Sequence, residues 1–404
     1  LIVQPIQVYL DSSDFSDIAN VKKKPSEYSD VINYLLTKRD KGLIQIRFSE
    51  AHVVEAAPTI PDSIPAAIER LKTIQEICGK NSLIHPIDLI AYEVSSNAIS
   101  ASNDGRSHIF RSDANWLPAA FDFSEIIPDV EKSVQQDIEK MGRLERRKYL
   151  KNGKPTALWY GEMRDANSAT GSIAANNLPL TTDAIRTFRR YFIGDASRKE
   201  ASKALYDSIT DLEVFGNWYK KDWGRASDMS RHLREIGGEF ETALDEARKQ
   251  FEEMMVEHTD AGGDSKKLLD LSVRAFYEVL AGSSSRLANK LALQIGATPK
   301  LTEDSWQASP GLTCSITLAM HIARRSVVAK LPRSPKSSDF PDCYHAIYLP
   351  YVDVFRADGF MAGMLRECKI PLSTMVVDKF LQLPVKIDEL LETRKKEIVS
   401  DDVE

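Results

Sequence analysis

Cysteine is scarce and scattered. Cys78, Cys314, Cys343 and Cys368 are the four in a chain of 404 residues, and no two form a CxxC pair. Neither a zinc site nor a disulfide framework is indicated, and a reducing cytosol is the expected compartment. No apolar run reaches the roughly 18 to 20 residues needed to cross a bilayer, and no basic segment followed by an apolar stretch opens the sequence. The expectation is a soluble, cytoplasmic protein without a membrane partner. The phosphate-cradling GxxxxGK(S/T) loop, the GxGxxG fingerprint, the HExxH helix and the GxSxG elbow are all missing, which removes the enzyme classes they mark. No fixed-period repeat supports a solenoid. Basic excess is lacking too: with a formal charge of -6, any surface for nucleic acid must be a local patch of Lys and Arg.

What is present is an ordinary globular balance, 43% hydrophobic and 28% charged residues, so a sizeable core is expected. The length exceeds that of a usual single domain, which implies two domains or one domain with a large insertion.

The pattern along the chain favours the second arrangement. A short apolar strand, Ile6 to Leu10, stops at the polar cluster Asp11, Ser12, Ser13, Asp14. A helix around Tyr28 to Lys38, a turn at Asp40 to Gly42 and a strand from Leu43 to Phe48 follow. This order begins a parallel α/β sheet. Ser49 hands over to a short helix carrying His52 and Glu55 that stops at Pro58, and an amphipathic helix spans about Ala66 to Cys78. From about Val130 to Ala329 helical patterns dominate, among them Val130 to Leu150, Ser197 to Lys221 and Ala226 to His258. Near the other end Pro341 opens a helix from Asp342 to Leu349, closed by Pro350. A strand from Tyr351 to Phe355, a helix from Gly359 to Cys368, a strand near Ser373 to Val377 and a charged last helix complete the chain. The α/β signal sits at both ends.

In open α/β sheets, ligands bind at the carboxyl ends of the parallel strands. Asp11 ends the first strand, Glu55 lies on the helix after the second, Asp342 sits in the first turn of the helix before the late strand, and Asp358 follows that strand. Together they are four carboxylates able to face one point. Oxygen donors without cysteine or paired histidines suit Mg or Mn better than zinc. A divalent ion on such a cluster points to phosphodiester hydrolysis.

The stretches LDSSDFSDI at Asp11, IRFSEAHVVEAA around Glu55, and PDCYHAIYLPYVDVFRADGF across Asp342 and Asp358 resemble the acidic motifs of the PIN domain family of nucleases. The resemblance covers roughly the first 95 and the last 70 residues. It implies a PIN-like three-layer α/β/α domain with a central parallel sheet, built from residues 1–100 and 335–404, with a mainly α-helical insertion at 101–334. It implies Asp11, Glu55, Asp342 and Asp358 as catalytic metal ligands, with Asp14, His345 and Asp353 as auxiliaries. It further implies a metal-dependent nuclease acting on RNA in preference to DNA, of the kind that toxin and defence effectors use. In the fourth motif Arg356 stands where the family usually has Thr or Ser, and Gly359 follows the acid where a polar residue is common.

Each feature has a blander reading. A single Asp at a strand end is usually a turn former or helix cap, Asp342 suits the dipole of its helix, and Glu55 suits a solvated face. Asp353, between Val352 and Val354, points away from them, and His345 reads on its own as a packing residue. A haloacid dehalogenase-like phosphatase needs two aspartates one residue apart, and here Ser12 and Ser13 separate Asp11 from Asp14. A flap-endonuclease-like DNA nuclease lacks its helix-hairpin-helix glycines, and a PIN-like scaffold without activity is the remaining alternative. For backbone phosphates the candidate clamp is Arg143, Arg146, Arg147 and Lys148, with Tyr149 and Trp159 nearby for stacking, although a solvated helix end is the favoured reading of that run. Arg186, Arg189 and Arg190, and the run Arg324, Arg325, Lys330, Arg333, Lys336, are smaller candidates. The long charged helices of the insertion suit a homo-oligomer or a regulatory protein partner.

Overall fold

The computed structural model describes residues 4–20, 26–95, 108–119, 127, 129, 132, 136, 139–151, 154–159, 161, 178–280, 282–294 and 309–401. Six strands are present among them: β1 (Ile6–Tyr9), β2 (Ile44–Arg47), β3 (Leu150–Lys151), β4 (Lys154–Pro155), β5 (Val354–Arg356) and β6 (Met375–Val377). Four form an all-parallel sheet in the order β2-β1-β5-β6, so both ends of the chain build it, while β3 and β4 make a small antiparallel pair.

The helices of the N-terminal part are α1 (Ser12–Ala19), α2 (Ser26–Asp40), α3 (Glu50–Ala56), α4 (Ile64–Cys78) and α5 (Pro86–Ser95). The middle contributes α6 (Arg143–Tyr149), α7 (Thr182–Phe192), α8 (Arg198–Ile209), α9 (Leu212–Trp218), α10 (Trp223–Asp260), α11 (Ser265–Leu280), α12 (Ser283–Gln294) and α13 (Pro310–Val327). The C-terminal part adds α14 (Asp339–His345), α15 (Gly359–Glu367) and α16 (Leu383–Asp401). None of the described helices is long and apolar enough to cross a membrane.

Alternation along the strands sorts side chains onto two covered faces. Ile6, Val8, Ile44, Ile46, Val354 and Val377 enter a core closed by α2, α4, α16 and by Leu212, Phe215 and Trp218 of α9. Tyr9 and Phe355 point to the other face, where Leu318 and Ile322 of α13, Leu349, and Met361 and Leu365 of α15 close a second core. Helices from the middle of the chain are therefore part of both cores. A third, separate core joins α7 to α8 through Phe188, Tyr191 and Leu205.

The first two strands lie within a residue of the expected spans. The turn before β2 is a Schellman-type stop: Gly42 has φ +70, its N–H donates to Arg39 O at 2.8 Å and Leu43 N–H donates to Lys38 O at 3.0 Å. The expected helix Ser197 to Lys221 is instead two, because the Asp211 carboxylate accepts from the N–H groups of Glu213 and Val214 and starts a new helix. Of the expected helix Val130 to Leu150, part lies outside the described residues and α6 is what is seen of the rest.

Two expectations near the C-terminal strands need correction. Helix α14 starts at Asp339, before Pro341, because proline is tolerated in a first turn where no N–H partner is needed. It gives way at Ala346 to a 3-10 helix, Ala346–Tyr351, that contains Pro350. Strand β5 then begins at Val354, three residues later than Tyr351.

Candidate functional site

All four strands run the same way, so their carboxyl ends share one edge. From β1 the chain steps to β2 on one side, and from β5 to β6 on the other. The order therefore reverses between β1 and β5, the place where open α/β sheets take ligands. Asp11 and Asp358 sit just past those two strands, as the N-caps of α1 and α15. Asp11 Oδ1 accepts from Ser13 N–H at 2.7 Å, and Asp358 Oδ1 accepts from Met361 N–H at 2.7 Å. One oxygen of each is thus committed to a helix start.

Asp342, on α14, and Glu55, on α3, come to the same edge. The Asp342 carboxyl is held well above the usual range, first by burial and then by the negative charge of Asp11, Glu55, Asp358 and Asp339. No hydrogen bond satisfies the Asp342 side chain among the described residues. Four acids from two distant parts of the sequence therefore act electrostatically on one another.

Glu55 is occupied differently. His345 Nε2 lies 3.0 Å from Glu55 Oε2 and 3.3 Å from Ser12 Oγ, and His345 Nδ1 lies 2.6 Å from the Tyr9 hydroxyl. Burial alone would raise the Glu55 carboxyl, but the charge and hydrogen bond of His345 outweigh it and hold it below its ordinary value. Burial likewise disfavours the imidazolium, yet Glu55 and the acids behind it raise His345. A charged pair results. His345 is thus hydrogen-bonded into this cluster on both ring nitrogens.

Beneath the pair runs a chain of polar groups. The Tyr9 hydroxyl, 2.7 Å from Ser49 Oγ, stays neutral because burial pushes it far up. His52 Nδ1 accepts from Ser49 N–H at 3.0 Å, which leaves Nε2–H to donate to the Leu10 carbonyl at 2.9 Å. Burial, then the charge of His345, lowers His52 to about 3, so this ring is neutral while its neighbour is charged. Glu50, raised to about 7 by burial, accepts from Tyr344 Oη–H at 3.1 Å.

The auxiliaries separate. Asp14 is buried, accepts from Asp11 N–H at 3.1 Å and pairs with Arg356 at 3.2 Å. Burial lifts its carboxyl to about 7 despite that guanidinium. Arg356, the departure in the fourth motif, thus neutralises Asp14. Asp353 does not reach the site: it precedes β5, at the opposite end of the strand, where it accepts from Gln7 N–H at 2.7 Å and pairs with Arg394 at 2.7 Å.

As donors, Asp11, Glu55, Asp342 and Asp358 offer only oxygen, the chemistry that Mg or Mn takes. Among the described residues no three His, Cys, Asp or Glu side chains close on one point as a finished metal cage. The uncommitted Asp342 carboxyl, crowded by negative charge, is the group that a cation would relieve.

The basic candidates fare unevenly. Arg143, Arg146, Arg147 and Lys148 are exposed on α6, and Arg146 donates to Glu139 O at 2.7 Å. Trp159 is buried edge-on against Tyr149, ring centres 5.7 Å apart, and does not offer a face to a base. Arg324 is paired with Glu367 at 3.0 Å, and Arg333 grips buried Asp339 with two bonds of 2.6 and 2.9 Å. Those two serve the fold.

Sequence reading missed Tyr9, Ser12, Ser49, His52 and Glu50, and also Arg70 and Arg234, which line a cleft beside Glu55. Tyr9 had a signal, a hydroxyl at the carboxyl end of a wholly buried strand. Arg234, in the middle of a long charged helix, had none. Compared with models of protein families, with curated proteins and with solved structures, the chain matches none.

Proposed function

We propose that the chain is a PIN-like, divalent-metal-dependent nuclease, acting on RNA in preference to DNA, whose site forms where the two chain ends meet. The observation that carries this reading is Asp342, a carboxyl without a hydrogen-bond partner among the described residues, set among Asp11, Glu55 and Asp358 where the strand order reverses. On this reading residues 1–100 and 335–404 make the PIN-like domain, and residues 101–334 are a helical insertion. Asp11, Glu55, Asp342 and Asp358 would hold Mg or Mn. The chemistry a divalent ion supplies at such a donor set is activation of water and neutralisation of phosphate charge.

The chain's own residues divide the remaining work. His345, anchored by Tyr9, fixes the orientation of Glu55 and keeps it ionised. Ser13 and Met361 N–H groups hold Asp11 and Asp358 at the sheet edge, each through one carboxylate oxygen. Burial and the neighbouring acids raise the Asp342 carboxyl, so added positive charge would favour its ionised form. The preference for RNA comes from the family resemblance alone.

A second reading, a PIN-like scaffold without activity, is favoured by one observation: Asp11, Asp358 and Glu55 all have structural partners already. End-labelled single-stranded RNA and DNA of one sequence, incubated with the full chain in Mn and in EDTA, separate the two. Shortening of the RNA in Mn and not in EDTA is expected. Both oligonucleotides surviving Mn intact would leave the scaffold.

A further inference from the structure

Beside the acids lies a cleft of roughly 340 Å³, within the size range of small-ligand sites. Ser12, Glu55, Ser337 and Ser338 are among the residues that line it. Arg70 of α4 and Arg234 of α10 line the same cleft. Neither guanidinium makes an ion pair among the described residues. Arg70 reaches only the main-chain oxygen of Glu55, at 3.4 Å, and its Nε is buried without an acceptor.

The two cations are close enough to feel each other. Burial first, and then the charge of Arg234, makes the Arg70 guanidinium harder to keep protonated. The carboxylate that both of them feel, Glu55, is already matched by His345. The lining carries two arginines against one carboxylate, Glu55, directly beside the cluster of acids. A buried guanidinium N–H without an acceptor is costly, and the planar Arg fork fits phosphate oxygens.

From this we infer that Arg70 and Arg234 form a phosphate subsite that seats a backbone phosphate of a single-stranded nucleic acid next to the acidic cluster. The identity of the ligand as a nucleic acid rests on the nuclease reading; the anion subsite rests on the two arginines. It also explains how a chain of net charge -6 would draw a polyanion to an acidic site, since attraction needs only local positive charge. The position of Arg234 is fixed by its own helix: one turn on, Gly237 lies so close to the Ser337 carbonyl that a Cβ would collide with it.

The test is fluorescence anisotropy on the full chain in EDTA, with RNA and DNA oligonucleotides of about 12 nucleotides and one sequence. Arg70→Gln and Arg234→Gln should each weaken binding about tenfold. Each should also reduce the slope of log affinity against log salt by about one. Arg234 is exposed, so its variant should melt as the parent does and keep the test valid if Arg70→Gln misfolds. RNA and DNA should bind within about threefold of each other, because guanidinium groups read phosphate. Parent-like affinity and salt slope in both variants, or no binding of either oligonucleotide by the parent, would overturn the subsite. Arginine-dependent binding without cleavage in Mn would sink the nuclease and keep the subsite. Cleavage with binding indifferent to both arginines would do the reverse.

Discussion

His345 Nε2 lies 3.0 Å from Glu55 Oε2, joining a helix that precedes the late strand β5 to one that follows the early strand β2. The pair has a pH window set by its two shifts. His345 is raised from 6.5, so its contribution is complete below that value and fades as pH rises through the higher folded value. Glu55 is lowered from 4.5, so its contribution is complete above that value and fades as pH falls through the lower folded one. His345→Gln should therefore cost most stability, about 2 kcal/mol, at pH values between the two ordinary ones. Urea unfolding at a series of pH values measures it. A cost that stays flat from pH 4 to 9 would contradict the charged pair.

Glu93 supplies a second pH effect. Fully buried on α5, it accepts from Gly311 N–H at 2.6 Å, Leu312 N–H at 3.0 Å and the Tyr351 hydroxyl, tying the start of α13 to the C-terminal segment. Burial outweighs these donors and raises it from 4.5 to about 7. For an acid with a raised folded value, the folded state binds the extra proton, so stability falls as pH rises from about 4.5 to 7. Glu93→Gln should remove that part of the fall, roughly 3 kcal/mol at most. Thermal melts at pH 5 and 8 test it: the parent should lose more than the variant across the interval.

Close packing fixes the wall of the cleft. Gly237→Ala would drive a methyl into the Ser337 carbonyl, and backbone cannot yield as a flexible side chain does. The expected cost is about 1–3 kcal/mol, read as a lower urea midpoint with an unchanged slope. A variant as stable as the parent would show that α10 and residues 337–338 can part freely.

Much of this arrangement is legible from residues alone, for physical reasons. Ile6–Tyr9 and Ile44–Arg47 announce themselves as buried strands because both faces of a parallel sheet are covered. The carboxyl-end rule then brings Asp11 and Asp358 together, however far apart they lie in sequence. The start of β5 was hidden because Tyr351 and Val352 are as apolar as the strand itself, yet Tyr351 closes a 3-10 helix. The fate of Asp353 and Asp14 depended on partners, Arg394 and Arg356, that no spacing rule links to them. Arg234 reaches the cleft only through the packing of a 38-residue helix.

In the proposed site, carboxylates from both chain ends gather one divalent ion at the reversal of strand order. Mn titration of the full chain by calorimetry tests it most directly, comparing the parent with Asp342→Asn and Asp353→Asn. Asn keeps the shape of each side chain and removes its charge. Mn should bind the parent and Asp353→Asn alike, since Asp353 is at the far end of β5, paired with Arg394. Asp342→Asn should lose that binding. An Asp342→Asn isotherm that overlays the parent's would contradict a metal site at these four acids.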